Sequence, residues 1–220
     1  MRNILVFLLH MLFPESCVIC LSPGFAICDD CLDEIFSEHS ERIRDEKFGS
    51  RFMRIYSANP YDDGLKDAVV AMKYPGYRNL CEPLGRAAAK KFSGLQVVKP
   101  VDYLVPVPLH LNSERDFNQS LDIAEAMGKF LGIKVLDAAC WARNLPQRAS
   151  LSMSERFEMP IDSFKILKDI SGLRIALVDD VCTTGTTLLR LARACEDAGA
   201  EVVCAYTLCS ASAYNSDRVN

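Results

Sequence analysis

The run Ile175-Ala176-Leu177-Val178-Asp179-Asp180-Val181-Cys182-Thr183-Thr184-Gly185-Thr186-Thr187 joins an apolar stretch, two adjacent acids and a hydroxyl-rich turn, and few folds accommodate all three. Four consecutive apolar residues, Ile175 to Val178, suit a strand buried on both faces of a parallel sheet. Asp179 and Asp180 are then expected at its carboxyl end, where open α/β sheets bind ligands. The turn from Thr183 to Thr187 holds one glycine, through which backbone can approach a ligand closely, and four hydroxyls. A helix opening near Thr186 adds unpaired N–H groups and the positive end of its dipole. The acids can accept from the vicinal hydroxyls of a sugar while the turn donates to a phosphate. The plainer alternative is a buried strand, turn and helix in which Asp and Thr only cap.

This segment resembles the phosphoribosyl-pyrophosphate (PRPP) signature of type I phosphoribosyltransferases, departing from it only at Cys182, where that family usually places a larger residue. The resemblance implies an α/β fold with a parallel sheet flanked by helices. It also implies that Asp179 and Asp180 contact ribose and that Thr183, Thr184, Gly185, Thr186 and Thr187 hold the 5′-phosphate.

With 220 residues, 50% of them apolar, the chain can bury a substantial core and is not disordered. Its formal charge of −4 excludes a broadly basic nucleic-acid protein. That charge is unevenly spread: residues 1–50 hold 4 Lys/Arg against 9 Asp/Glu, and residues 51–220 hold 21 against 20. The expected division is a small acidic N-terminal module with its linker over 1–50 and the α/β domain over 51–220.

Cys17-x2-Cys20-x7-Cys28-x2-Cys31 supplies two chelating pairs across a turn containing Ser22, Pro23 and Gly24. Four thiolates with no open position describe a structural zinc site. A two-disulfide clip and a rubredoxin-type iron site are the alternatives. The other six cysteines are scattered through strands and helices, which fits reduced thiols of a cytoplasmic protein. Zinc modules often touch nucleic acid, but phosphate contacts need Lys and Arg, and Asp29, Asp30, Asp33 and Glu34 follow here. A structural clamp or partner platform carries equal weight. The apolar run Ile4 to Phe13 is too short to span a bilayer and lacks a small-x-small cleavage site; a short helix against the metal module is expected, with a targeting segment as the alternative.

Glu38 to Arg51 reads as the linker, Phe52 to Ala58 as a strand, Tyr61 to Lys73 and Leu80 to Phe92 as helices. Lys73 either faces an anionic ligand or is a solvated lysine complementing a helix dipole. Asp102 to His110 is a strand running into a loop stiffened by Pro106 and Pro108. The helix after it carries Arg115-Asp116-Phe117-Asn118-Gln119-Ser120 near its start, a plausible cradle for pyrophosphate. His110 reads as an ordinary hydrogen-bonding histidine sooner than as a catalytic base. Trp141 to Arg156, with Arg143, Arg148 and Arg156 against Glu155, has the composition of a lid closing over pyrophosphate or of a solvated loop.

Taken together, the four-cysteine spacing, Lys73-Tyr74-x-Gly76, Val105-Pro106-Val107-Pro108-Leu109, Arg115-x-Phe117-Asn118-Gln119, Gln147-x3-Leu151 and the PRPP segment resemble the ComF family over nearly the whole chain. That resemblance implies a zinc-ribbon-like N-terminus on a phosphoribosyltransferase domain, Mg2+ accompanying PRPP, and cytoplasmic work in DNA uptake and processing during natural transformation. Single-stranded DNA and DNA-processing proteins are the implied partners. The Val105–His110 loop, Arg115 and the Arg148–Arg156 segment would surround pyrophosphate. Leu111-Asn112-Ser113, Asp116 and Met159 depart from the pattern and thin the basic rim.

Two functions stay open at this level. One is an enzyme transferring phosphoribosyl from PRPP, of competence or salvage type; the other is a non-catalytic scaffold sensing PRPP or a nucleotide. Glutamine-dependent amidophosphoribosyl transfer is excluded, since it needs a separate ammonia-generating domain.

Overall fold

A computed structural model of the chain describes residues 15–37, 41–48, 51–95, 100–142, 160 and 162–211. In chain order these form α1 (Asp29–Ser37), β1 (Arg42–Phe48), β2 (Arg51–Pro60), α2 (Asp63–Ala71) and a 3₁₀ helix (Pro75–Leu80). Then come α3 (Cys81–Ser93), β3 (Tyr103–Pro106), α4 (Gln119–Leu131), β4 (Lys134–Val135), β5 (Ala139–Trp141), β6 (Phe164–Ile166), β7 (Arg174–Cys182), α5 (Thr186–Asp197) and β8 (Glu201–Ser210).

Six strands make one sheet in the order β1-β2-β8-β7-β3-β4. All neighbours are parallel except β1, which runs antiparallel to β2. The parallel part explains the unbroken apolar runs: Ile175 to Val178 in β7 and Leu104 and Val105 in β3 are fully buried because side chains are covered on both faces. One face packs α2, α3 and α4 through Leu65, Val69, Leu84, Phe92 and Ile123. The other packs α5 and the small β5–β6 pair through Leu177, Leu188, Leu191 and Trp141.

Gly85 allows α3 to approach α4, for a Cβ there would meet Ala126 Cβ and the Ile123 carbonyl oxygen, both at 2.9 Å. Asn118 opens α4 as its N-cap, accepting from Ser120 N at 3.1 Å, and donates through Nδ2 to the Val107 carbonyl at 3.0 Å. Helix start and proline loop are thereby tied together. The helix begins at Gln119, so Arg115 to Asn118 lie before it and not in its first turn.

Two sequence expectations change. Residues 42–48, read as linker, form the edge strand β1, and their charges suit an edge that must not recruit further strands. The β1 ladder is made with β2 alone, so strand formation here comes from the partner and not from an apolar pattern. The strand carrying the two acids runs from Arg174 to Cys182, so Asp179 and Asp180 sit within its ladder, not beyond it. The cysteine module is a turn closed by the bridge Ser16–Pro23 and followed by α1. Cys17, Ile27, Cys31 and Leu32 belong to the same apolar core as α2 and α3.

Candidate phosphoribosyl site and cysteine cluster

Strand β7 delivers the two acids to the carboxyl edge of the sheet, and neighbouring elements hold each in a different way. Ser120, at the start of α4, donates its hydroxyl to Asp179 Oδ1 at 3.0 Å, and the Asp180 N–H donates to the same oxygen at 2.9 Å. Lys73, just past the end of α2, places Nζ 3.1 Å from Asp180 Oδ2, where Gln119 Nε2 also donates at 3.4 Å. The Val181 N–H donates to Asp180 Oδ1 at 2.7 Å.

Electrostatics separate the pair. Burial, reinforced by the neighbouring Asp180 charge, pushes the Asp179 carboxyl up to about 7. Burial acts on Asp180 in the same sense, but the Lys73 ammonium, the Val181 N–H and Arg115 together outweigh it and hold that carboxyl below its ordinary value. Lys73 itself is kept charged, since the attraction of Asp180 exceeds the cost of burying the ammonium. Of the two, Asp179 is therefore the carboxyl that takes up a proton first, and Asp180 the one that stays ionised.

The turn after β7 has the expected form. Gly185 is in the left-handed region at φ +74° and caps α5, which opens at Thr186. Thr184 and Thr186 hydroxyls lie 2.8 Å apart, and Thr186 and Thr187 are buried against the turn. Short polar side chains and a helix N-terminus thus converge a few residues from the acid pair, giving donors for an anion beside acceptors for a diol.

Arg115 comes close enough to oppose protonation of Lys73, and among the described residues its buried Nη1 has no acceptor. An unmatched guanidinium nitrogen near the Lys73–Asp180 pair points to an anionic ligand. The proline loop closes the same edge: Trp141 donates its indole N–H to the Pro108 carbonyl at 2.9 Å, with the His110 ring 4.9 Å away. His110 accepts from the Asn112 N–H at 3.2 Å, in keeping with an ordinary hydrogen-bonding histidine. Arg143, Arg148 and Arg156, proposed from sequence as lid residues, lie outside the described residues, as do Gln147, Leu151, Met159 and the apolar run from Ile4 to Phe13. The strands bracketing that lid segment, β5 and β6, are present, and Trp141 packs on Phe164 at 4.4 Å between them.

The sequence pointed to Asp179, Asp180, the Thr183–Thr187 turn, Lys73 and Arg115, and the fold brings all of them to one edge. It did not single out Ser120 and Gln119 as the groups that hold the acids. The capping pattern of Asn118 was the available signal, because it fixes the next two side chains at a helix start facing β7.

At the N-terminus the sulfurs of Cys17, Cys20, Cys28 and Cys31 lie within 4.8 Å of one another, with Cys20 and Cys28 3.7 Å apart. Four sulfurs about 2.3 Å from a tetrahedral ion stand ~3.8 Å apart, so the cluster fits a metal. Burial alone would raise the Cys17 thiol, yet backbone N–H groups of Cys20 and Cys28 bring it down to about 6, while burial and the neighbouring sulfurs push Cys31 well up. A stabilised thiolate is the ligand form.

Among the described residues no helix is long and apolar enough to cross a membrane.

The family described as the phosphoribosyl transferase domain matches residues 143–219. The DNA utilization protein YhgH of Salmonella typhimurium is 27% identical over 168 residues, covering 72% of each chain. The crystal structure of adenine phosphoribosyltransferase from Thermoanaerobacter pseudethanolicus is 20% identical, aligning 81% of this chain with 87% of that one at a TM-score of 0.43. The allosteric regulatory enzyme of purine biosynthesis is 18% identical over 59% of this chain, which spans only 26% of that enzyme, at a TM-score of 0.41.

Proposed function

We infer that this chain, a ComF-type protein with a phosphoribosyltransferase domain and an N-terminal four-cysteine cluster, binds PRPP at the carboxyl edge of β7 and uses it in the handling of DNA. The observation that carries the reading is the meeting of two complementary binding elements on one strand. The acid pair, steadied by Ser120 and Lys73, suits a sugar diol, and the Thr183–Thr187 turn at the start of α5 suits a phosphate.

In this reading Asp180 is the permanent acceptor for one ribose hydroxyl, while Asp179, which exchanges its proton near neutrality, receives the second. The turn binds the 5′-phosphate. Arg115 faces the pyrophosphate with its unmatched nitrogen. Arg143, Arg148 and Arg156 are the further pyrophosphate contacts that the sequence offers. Transfer from C1 of the ribose needs no protein nucleophile, because pyrophosphate leaves as charge develops on the sugar, and the chain's task is to hold both ends and stabilise the departing anion. Mg2+ accompanying PRPP would neutralise pyrophosphate charge, and Asp179 and Asp180 are the carboxylates of this site that would hold it. The four cysteines would hold a structural zinc.

A role in DNA utilisation, work in the cytoplasm, and single-stranded DNA or DNA-processing proteins as partners belong to the same proposal. They are supported by the name of the Salmonella relative and by the ComF resemblance.

Calorimetric titration with PRPP and Mg2+ tests the reading. The wild-type chain should bind, and the Asp179→Asn/Asp180→Asn variant should lose at least about tenfold in affinity. Exchange of labelled pyrophosphate into PRPP then distinguishes turnover from binding. A chain that ignores PRPP overturns the proposal, and one that binds without exchange on any base or DNA end removes the enzymatic part.

A further inference from the structure

The phosphate turn is gripped from outside by a strand whose sequence gave no hint of it. Arg44, on β1, donates through Nη1 to the Thr183 carbonyl at 2.9 Å and through Nη2 to the Thr184 carbonyl at 3.2 Å. Its guanidinium forms an ion pair with the Glu46 carboxylate. Residues 44 and 46 share a face of the strand by simple alternation, so both are brought to the turn together. Glu46 lies against its apex: a Cβ built on Gly185 would meet Glu46 Cγ at 3.4 Å.

We propose that Arg44 is a positioning residue for the 5′-phosphate turn. A phosphate is repelled by carbonyl oxygens and held by N–H and hydroxyl donors, so a loop of this kind serves only if its carbonyls stay turned away from the ligand. One guanidinium fork holding two successive carbonyls fixes both peptide planes at once, which a single-point cation cannot do. Glu46 balances the arginine, so that Arg44 serves the backbone and does not compete for the phosphate. The edge strand is thereby part of the ligand site, although it lies in the acidic N-terminal quarter of the chain. This inference rests on the phosphoribosyl reading of the turn and adds a residue to it.

The test separates the two ends of the ligand. Ribose 5-phosphate reports on the turn, and pyrophosphate with Mg2+ reports on the opposite end. Both are titrated calorimetrically into wild type, Arg44→Ala and Arg44→Lys, with thermal unfolding of each protein. Arg44→Ala should weaken ribose 5-phosphate by about tenfold or more and leave pyrophosphate within about twofold. Arg44→Lys, which keeps charge and stem but not the fork, should fold as wild type does and recover only part of the loss. Equal weakening for both ligands in Arg44→Lys, or ribose 5-phosphate affinity unchanged in either variant, overturns the positioning role while leaving the site assignment standing. A wild-type chain that binds neither ligand removes the phosphoribosyl reading, and this inference falls with it.

Discussion

Lys73 Nζ and Asp180 Oδ2 meet at 3.1 Å across the gap between the end of α2 and the carboxyl end of β7, joining two elements that no sheet hydrogen bond connects. The carboxylate side of the pair is buried and the lysine side partly exposed, so the lysine is the replaceable member and the acid the one that suffers from its loss. Asp180 would otherwise stand beside a second carboxylate with burial acting against both charges.

Removing that cation should therefore cost more than a surface ion pair. Lys73→Met is expected to destabilise the fold by about 1–2 kcal/mol at pH 8, discounted for the exposure of the lysine. Lys73→Met/Asp180→Asn should regain most of the loss. Urea unfolding of the four proteins gives the coupling, and additive effects would refute the pairing.

Asp179 sets a pH dependence with a definite sign. In the fold it keeps its proton up to about 7, whereas unfolded it releases it near 3.8, so between those values the folded chain holds more protons. Its contribution to stability consequently falls as pH rises from about 4 to about 7 and stays low above that. Asp179→Asn should be the more stable protein by about 1 kcal/mol at pH 8, with the gap closing towards pH 4. A gap of constant size across that range would show that Asp179 titrates normally.

The left-handed turn makes a geometric prediction. Gly185→Ala places a Cβ where φ is +74° and Glu46 Cγ lies 3.4 Å away. A loss of about 1–2 kcal/mol in stability is expected, together with weaker ribose 5-phosphate binding. Wild-type behaviour in both thermal unfolding and titration would mean that the turn adapts freely.

Asn118 joins helix start to proline loop, so its removal should be felt at both. Asn118→Ala is expected to cost about 1–2 kcal/mol through the lost cap. It should also weaken PRPP binding, because Ser120 and Gln119 are aimed at the acid pair by that cap. Unaltered PRPP affinity in a destabilised variant would separate the cap from the site.

For the cysteine cluster the expected content is one zinc per chain, measured by elemental analysis of freshly purified reduced protein. Cys17 and Cys31 are buried in the core shared with α2 and α3, so stripping the metal should lower the melting temperature of the whole chain, by roughly 2–4 °C per kcal/mol lost. Iron in place of zinc, or loss of metal without any thermal shift, would contradict this.

Residues whose chemistry is local were legible in the sequence. The run Ile175 to Val178 declares a strand covered on both faces, Gly185 declares a turn, and Cys17-x2-Cys20 and Cys28-x2-Cys31 declare a metal clamp, each within a few positions. Arg44 and Ser120 were not legible as site residues, because each acts on a segment more than fifty positions away. Arg42–Phe48 has no apolar alternation to mark it as a strand; it becomes one by completing the hydrogen bonds of β2, and that need is visible only once the sheet exists.

That last strand bears on where the protein can be cut. A division at residue 51, natural from charge alone, would peel off β1, expose the ladder of β2 from Arg51 to Ser57 and release the carbonyls of Thr183 and Thr184. A fragment started after Arg42 should tend to self-associate through the bared edge of β2.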